Sequence, residues 1–494
     1  MARTAMHDDH RGRTHRPRRS GRAIIMSIPQ VSPVAIVGGG AAGTLLALHL
    51  ARRHGIRVTL YDGAGAFGRG AAYSATSPWH RLNVPALRMG GWHADDPEAF
   101  LQWLADRDGG TPQSQGGRYV ERSVYGEWLS QQLFDAVRAG GVWLVKANVQ
   151  ALQRASAGPG GTWRLLLDDG RRHFAQAVAL CQGNALPRAL PGVQGHARCI
   201  GNPWLAHALA PIGRQDDVVV AGSGASGVDT VLELLHTGHR GRIDLVSRRA
   251  LLPLPHSLPE LQAVPPTPVL FDSSDIAPTL RHLYRAVRSA ITADHRTQRP
   301  WQSTMDAVLH QADALWAGLT LRDRRRFLRH VRPYWMAFRH RADPAVLAAL
   351  QAAQHRGQLR RTAGRIESVD AHDDRLRVHI ALRHAGGTGA LIGADWVINA
   401  TGPDERIMLR SDPLIAGLLR DGHARAGELG LGLDVRADGE VVPAGGQQNP
   451  ALFALGLPTR GVFWEVTSVP ALRMRAAPLA ARLAEHLRRP AEAA

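Results

Sequence analysis

The sequence predicts an α/β protein: two Rossmann-like dinucleotide-binding domains, the first discontinuous in sequence, with helical insertions. Three observations carry this. A strand, a G-x-G-x-x-G turn, a helix and a second strand occur at residues 33–62 and again from residue 217. Strand segments end in small glycine turns at Gly183 and Gly402. A last strand and helix lie between residues 452 and 487.

In the first unit, residues 34–37 are apolar and rich in β-branched side chains, which suits a buried parallel strand. Gly38, Gly40 and Gly43 set the turn, with Ala41 and Ala42 between them. The first glycine permits a tight turn. The second lets backbone N–H groups approach a pyrophosphate, and the third lets the helix pack on the strand. Helix-forming residues run over 44–53 and Gly55 stops them. Asp62 ends the second strand nineteen residues after Gly43, where an acid meets a ribose hydroxyl. A glycine turn alone would fit an ordinary βαβ unit. The strand, helix, second strand and acid in register point to a dinucleotide.

The 494-residue length fits two or three domains. The formal charge is +18, yet nearly every basic residue is Arg, with a single Lys at position 146. The arginines are scattered and interleave with no aromatic strip, which argues against a nucleic-acid partner. The expected partner is a small molecule, with a preference for anionic groups. No apolar run approaches the roughly 18 residues that span a bilayer, so no membrane partner is expected. Cys181 and Cys199 are the only cysteines and form no C-x-x-C, so neither a dithiol centre nor a metal site is expected. A reducing cytoplasm is the expected compartment.

Residues 1–32 are polar, with seven Arg by position 22, and read as a disordered basic tail; Met26 is an alternative start. Residues 33–212 form the first part of the first domain, with a helical insertion at about 90–140. In the loop after Asp62, residues 80–89 are dense in hydrogen-bonding groups, and His80 and Asn83 are its candidate cofactor contacts. Strands follow over 141–183, with a hairpin turn at 158–161.

Residues 213–388 form the second domain. Gly222, Gly224 and Gly227 repeat the spacing, with Ser226 among them. The following strand ends in Ser247, Arg248 and Arg249, where the first unit has an acid. An acid there repels a 2′-phosphate, whereas Ser and Arg bind one, so NADPH is favoured, with NADH as the alternative. A helical insertion covers about 275–352. Its large apolar residues read as core. Arg329, His330, Arg332, Trp335, Arg339, His340 and Arg341 read either as a solvated face or as a lid over an acidic group.

Residues 389–494 complete the first domain. Thr401 and Gly402 form a strand-to-turn closure, and Gly456 follows the last strand. Thr467 or Ser468 caps the last helix, with Pro470 in its first turn. Its N-terminus would stabilise negative charge on a bound group. Pro478 should kink or interrupt that helix.

The motifs GAAYSAT, HRLNVPALRM, SRRALLP, RFLRHVRPYW, INATGP and FWEVTSVPALR together resemble the bacterial FAD/NAD(P)-binding protein family of YdhS type, within the two-dinucleotide-binding-domain flavoproteins. The resemblance covers about residues 33–487. It implies FAD on the first unit and NAD(P)H on the second. Some relatives in that family are flavin N-monooxygenases, so it implies an FAD-dependent NAD(P)H oxidoreductase, with monooxygenation of a small amine or other nucleophile as the leading chemistry. Alternatives are a flavin reductase using a non-oxygen acceptor and a non-enzymatic redox sensor or binding protein. The F-x-G-x-x-x-H-x-x-x-W pattern of many such oxygenases is degenerate here: Gly192 and His196 keep their spacing, the leading Phe is absent and Trp204 is displaced. No side chain stands out as catalytic acid or base.

Overall fold

The computed structural model describes residues 30–156, 161–192, 195–257, 279–383, 389–409, 412–446 and 449–488. The basic tail through residue 29, most of the 158–161 turn and the first residues of the second helical insertion lie outside the described residues.

The first sheet contains β1 (Val31–Val37), β2 (Val58–Tyr61), β3 (Val142–Val145), β4 (Val149–Arg154), β5 (Trp163–Leu167) and β6 (Arg172–Leu180), in the order β3-β2-β1-β6-β5-β4. The second contains β7 (Cys199–Ile200), β8 (Val218–Ala221), β9 (Ile243–Ser247), β10 (Leu359–His372), β11 (Arg375–Leu382), β12 (Gly389–Ala394) and β13 (Trp396–Asn399). Its order is β12-β11-β10-β9-β8-β13-β7. The last strand, β14 (Ala451–Ala454), returns to the first sheet and pairs in parallel with Ala177–Leu180 of β6. The first domain is therefore discontinuous in sequence, as expected.

Sheet membership differs from the expected boundaries at 213 and 388. Strands β7, β12 and β13 lie outside 213–388 yet belong to the second sheet. The register gives the reason: β13 pairs in parallel with β8 over Trp396–Asn399 and with β7 on its other side. A segment read locally as the start of the last domain thus supplies one neighbour, β13, to the second nucleotide strand, and the edge strand β12 at the far side of the same sheet.

Both central strands are covered on two faces. Val34 and Ile36 of β1 pack into one core, and Ala35 and Val37 into another. The same split separates Val218 and Val220 of β8 from Val219. Continuous apolar runs are what a parallel strand between two layers requires. The helix Ala41–Leu48 places Leu45, Leu46 and Leu48 at 0 % exposure in the first core, each contributing about 1.5–3 kcal/mol by burial.

The first helical insertion folds as Ala99–Asp108 and Arg122–Arg138 and buries Phe100, Leu104, Tyr125, Trp128 and Leu133 in that same core. The second spans helices from Leu280 to His355. Trp316, Leu319 and Phe327 pack with Trp464, so its apolar stripe is core, as expected, and seats the insertion on the C-terminal segment. The last helix runs Val469–Arg488 without interruption at Pro478. Pro478 is exposed, and Met474, whose carbonyl loses its helical donor, is 69 % exposed, so water can serve that carbonyl. Among the described residues, no helix is long and apolar enough to cross a membrane.

Candidate functional site

The two glycine turns have nearly the same backbone. Gly38 and Gly222 have φ of +112° and +109°, and their N–H groups donate to Tyr61 O and Val246 O at 2.9 and 2.8 Å. Gly40 and Gly224 then start their helices at φ/ψ of −75°/−165° and −75°/−166°. A Cβ on Gly38 would lie 2.5 Å from Cys181 O, and one on Gly222 would lie 2.3 Å from Ala400 O. A Cβ on Gly43 or Gly227 would sit 2.0 or 1.9 Å from the carbonyl of Gly38 or Gly222. The glycines are thus required by packing of strand, turn and helix. Neither helix has a side-chain cap or an acid in its first turn. Their leading N–H groups, with the positive end of each helix dipole, suit a pyrophosphate. A Cβ on Gly224 would meet nothing within 4 Å, which is room for such a group.

Around the first turn, Asp62 Oδ2 accepts from Gly39 N–H at 3.0 Å and Oδ1 from Ala66 N–H at 3.1 Å. Two backbone donors fix the carboxylate and leave lone pairs for ribose hydroxyls. The C-terminal segment comes to the same place. Gly456 has φ +79°, and its Cβ would lie 3.5 Å from Ala42 Cβ and 3.2 Å from Leu472 of the last helix. That helix starts after Ser468, whose Oγ accepts from Ala471 N–H at 3.4 Å, while Thr467 is exposed. Gly38, Gly40, Ala41, Ala42, Gly43, Asp62 and Gly456 therefore share one region, with the start of the last helix beside it.

Around the second turn, Ser226 Oγ accepts from Trp204 Nε1 at 3.2 Å. The displaced tryptophan of the degenerate oxygenase pattern is thus held at the first turn of the second glycine helix. Ser247 Oγ and Ser223 Oγ are 2.6 Å apart. Arg248 is exposed, whereas Arg249 lies over the Tyr334 ring at 4.9 Å and donates to its hydroxyl at 3.0 Å. Thr401 donates through Oγ1 to Asn399 Oδ1 at 2.6 Å, and Gly402 has φ +84° with open space at its Cβ position.

His80 and Asn83 lie between the domains. His80 Nε2 is 2.9 Å from Glu233 Oε2 on the second glycine helix, Ala225–His236. Trp79 stacks on His236 at 3.7 Å, and Arg122 Nη2 lies 2.7 Å from Asp229 Oδ2. Asn83 O accepts from His256 Nε2 at 2.7 Å. The loop expected along a flavin thus uses these groups to seat the second domain.

A group of charges that the sequence left divided between two readings forms where the helical insertion meets the C-terminal segment. Arg339 Nε donates to Glu465 Oε2 at 2.9 Å. Arg332 and Arg460 both pair with Glu405, the latter at 3.3 Å. Burial, and then the guanidiniums of Arg339, Arg460, Arg122 and Arg332, push His340 down to about 3. Of the other residues in that expected lid, Arg341 is buried against Asp306 at 2.7 Å, and Arg329 and His330 are exposed. Sequence reading missed Arg122, Glu405, Arg460 and Glu465. Their only signal was membership in RSVYGEW, TGPDER, LPTRG and FWEV, with no spacing to join them.

The fold is that of two nucleotide-binding α/β domains joined in one chain, with the first completed by the C-terminus. Residues 35–185 match the model of a FAD-NAD(P)-binding family. No curated protein matches the sequence. Solved structures share the whole architecture. L-lysine 6-monooxygenase from Pseudomonas syringae aligns at a TM-score of 0.65 and 16% identity, covering 92% of this chain and 99% of that one. The reduced form of an ornithine hydroxylase from Pseudomonas aeruginosa gives 0.63 and 15%, covering 93% and 100%. An ornithine N-hydroxylase from Kutzneria sp. 744, solved with reduced FAD, NADP+ and L-ornithine, gives 0.62 and 16%, covering 92% and 99%. At these identities the likeness establishes the fold.

Proposed function

We propose that this protein is an FAD-dependent NAD(P)H oxidoreductase, and within that class a flavin monooxygenase acting on a small amine or another nucleophile. The carrying observation is the pair of matching glycine turns in one chain, only the first of which shares its surroundings with the C-terminal strand and helix. The FAD-NAD(P)-binding match over the first domain and the amine-oxidising activity of the structural neighbours support the reading. The motif set adds a finer assignment, to the YdhS-type branch.

Bound FAD supplies hydride acceptance and, once reduced, the chemistry with oxygen. The chain's own residues do the rest. The turn over Gly38, Gly40, Ala41, Ala42 and Gly43 holds the pyrophosphate, and Asp62 accepts from the ribose. Gly456 admits the cofactor beside the last helix. Thr467 and Ser468 open that helix, whose dipole favours negative charge on the reduced ring. Gly222, Gly224, Ser226 and Gly227 hold NADPH, Arg248 and Arg249 take its 2′-phosphate, and Thr401 and Gly402 close over it. His80 and Asn83 stand in the loop that would run along the flavin, and through Glu233 and His256 the same loop seats one domain on the other.

The test is to purify the protein, release and identify its chromophore, and follow anaerobic bleaching by NADPH and by NADH. Oxygen uptake is then measured with a panel of amines, with product mass checked for one added oxygen. Protein without flavin overturns the assignment. Bleaching that never leads to an oxygenated product overturns the monooxygenase part alone.

A further inference from the structure

Resting on that reading, a further feature concerns the kind of molecule the site accepts. Arg460 is 6 % exposed and lies over the Trp464 ring at 4.7 Å. A buried guanidinium needs a dedicated counter-charge and satisfied donors. Arg460 has neither in full. Among the described residues its one ion pair is with Glu405, which Arg332 shares, and its Nε is buried without a hydrogen-bond partner. The surplus extends outward. Among the described residues, the guanidiniums of Arg122, Arg332, Arg339 and Arg460 are ion-paired with Asp229, Glu405 and Glu465, four cations on three carboxylates. His340 lies close enough to the same four guanidiniums that, after burial, they oppose its protonation.

The position is informative. Arg460 follows Gly456, beside the first glycine turn. Glu405 follows the Thr401–Gly402 closure of the second sheet. Arg332 and Arg339 come from the helical insertion, which packs on the C-terminal segment through Trp464. The charge surplus thus lies at the meeting of the two domains and the insertion.

We propose that Arg460, with Arg332 beside it, anchors an anionic oxygen group, a carboxylate or phosphate, of a molecule that enters this junction. The group accepts from the unpartnered Nε and supplies the missing negative charge. Two sources share that chemistry: the acid end of a substrate whose other end is oxidised, and a phosphate of the nicotinamide cofactor. No covalent step is involved.

The experiment is calorimetric titration of the flavin-loaded protein, without turnover, using 5-aminopentanoate against pentylamine and, separately, NADP+ against NAD+. A substrate anchor predicts that 5-aminopentanoate binds about 10- to 100-fold more tightly than pentylamine, the range of one charge-assisted hydrogen bond. A cofactor anchor instead has Arg460→Gln weaken NADP+ and NAD+ alike by that factor, since the 2′-phosphate falls to Arg248 and Arg249 and the pyrophosphate is common to both nucleotides. In the first case Arg460→Gln abolishes the preference for 5-aminopentanoate. Glu405→Gln, which keeps both guanidiniums and removes their shared carboxylate, tightens the anionic ligand. A preference for 5-aminopentanoate that survives Arg460→Gln, or equal binding of the two amines with nucleotide affinity unchanged by Arg460→Gln, overturns the proposal. Should Arg460→Gln fail to fold, Glu405→Gln decides alone, and unchanged affinity overturns the proposal. Flavin content is recorded for every sample. Protein lacking flavin defeats the oxidoreductase reading, whereas flavin-loaded protein indifferent to the anion defeats only this inference.

Discussion

His80 Nε2 stands 2.9 Å from Glu233 Oε2, joining a loop of the first domain to the glycine helix of the second. Both side chains are largely buried, at 9 % and 20 % exposure, and Arg122 with Asp229 repeats the contact one turn earlier on that helix. Removing one partner leaves the other's charge or polar atom buried without compensation. His80→Ala and Glu233→Gln should each lower stability by about 1–3 kcal/mol, with a coupling energy of similar size in the double mutant. Chemical denaturation of the four proteins measures it. Additive losses would show that the two side chains do not interact.

The glycine turns offer a separation of cofactors. Gly38 and Gly222 combine positive φ with virtual Cβ contacts of 2.5 and 2.3 Å to backbone carbonyls. Alanine costs about 1–3 kcal/mol for the backbone conformation alone, and the overlap forces the turn to open. Gly222→Ala should retain flavin while losing bleaching by NADPH. Gly38→Ala should lose flavin. A spectrum of each purified variant before and after NADPH gives the answer, and a reversed pattern would exchange the two assignments.

Arg248 and Arg249 differ in what holds them. Arg249 is tied to Tyr334, while Arg248 is exposed at the end of β9. If both take the 2′-phosphate, Arg248→Ser should weaken NADPH by about 10- to 100-fold and leave NADH unchanged. Comparing the two nucleotides in anaerobic reduction checks it. An equal loss for both would move Arg248 to the pyrophosphate.

Buried neutral histidines predict an acid limb to stability. Burial, and then neighbouring guanidiniums, hold His340 at about 3, and burial holds His256 at about 4, against 6.5 for the free side chain. Both folded values are depressed. As pH falls below 6.5 the unfolded chain takes up protons that the native state refuses, and stability is lost progressively towards the folded values. The urea midpoint should be level above about pH 7 and fall from about pH 6.5 to 5, where most carboxylates are still ionised. His340→Gln should reduce that slope. A midpoint rising on acidification over this window would contradict neutral burial.

The two glycine units were legible because their signal is local. A strand, a tight turn and a helix within thirty residues show directly which positions exclude a Cβ, and the structure repeats that exclusion at Gly38, Gly43, Gly222 and Gly227. The return of the last strand and helix to the first domain was legible from the resemblance. By itself, then, the sequence determined two parallel-sheet units and the order of their parts. Only the tertiary structure decided what those parts meet. It placed β13 beside β8, turned His80 towards Glu233, brought Trp204 to Ser226, and gathered Arg122, Arg332, Arg339, Glu405, Arg460 and Glu465 from distant segments. Charge pairing and sheet register depend on distances in space between residues tens to hundreds apart in the chain, and spacing along the chain carries no record of those distances.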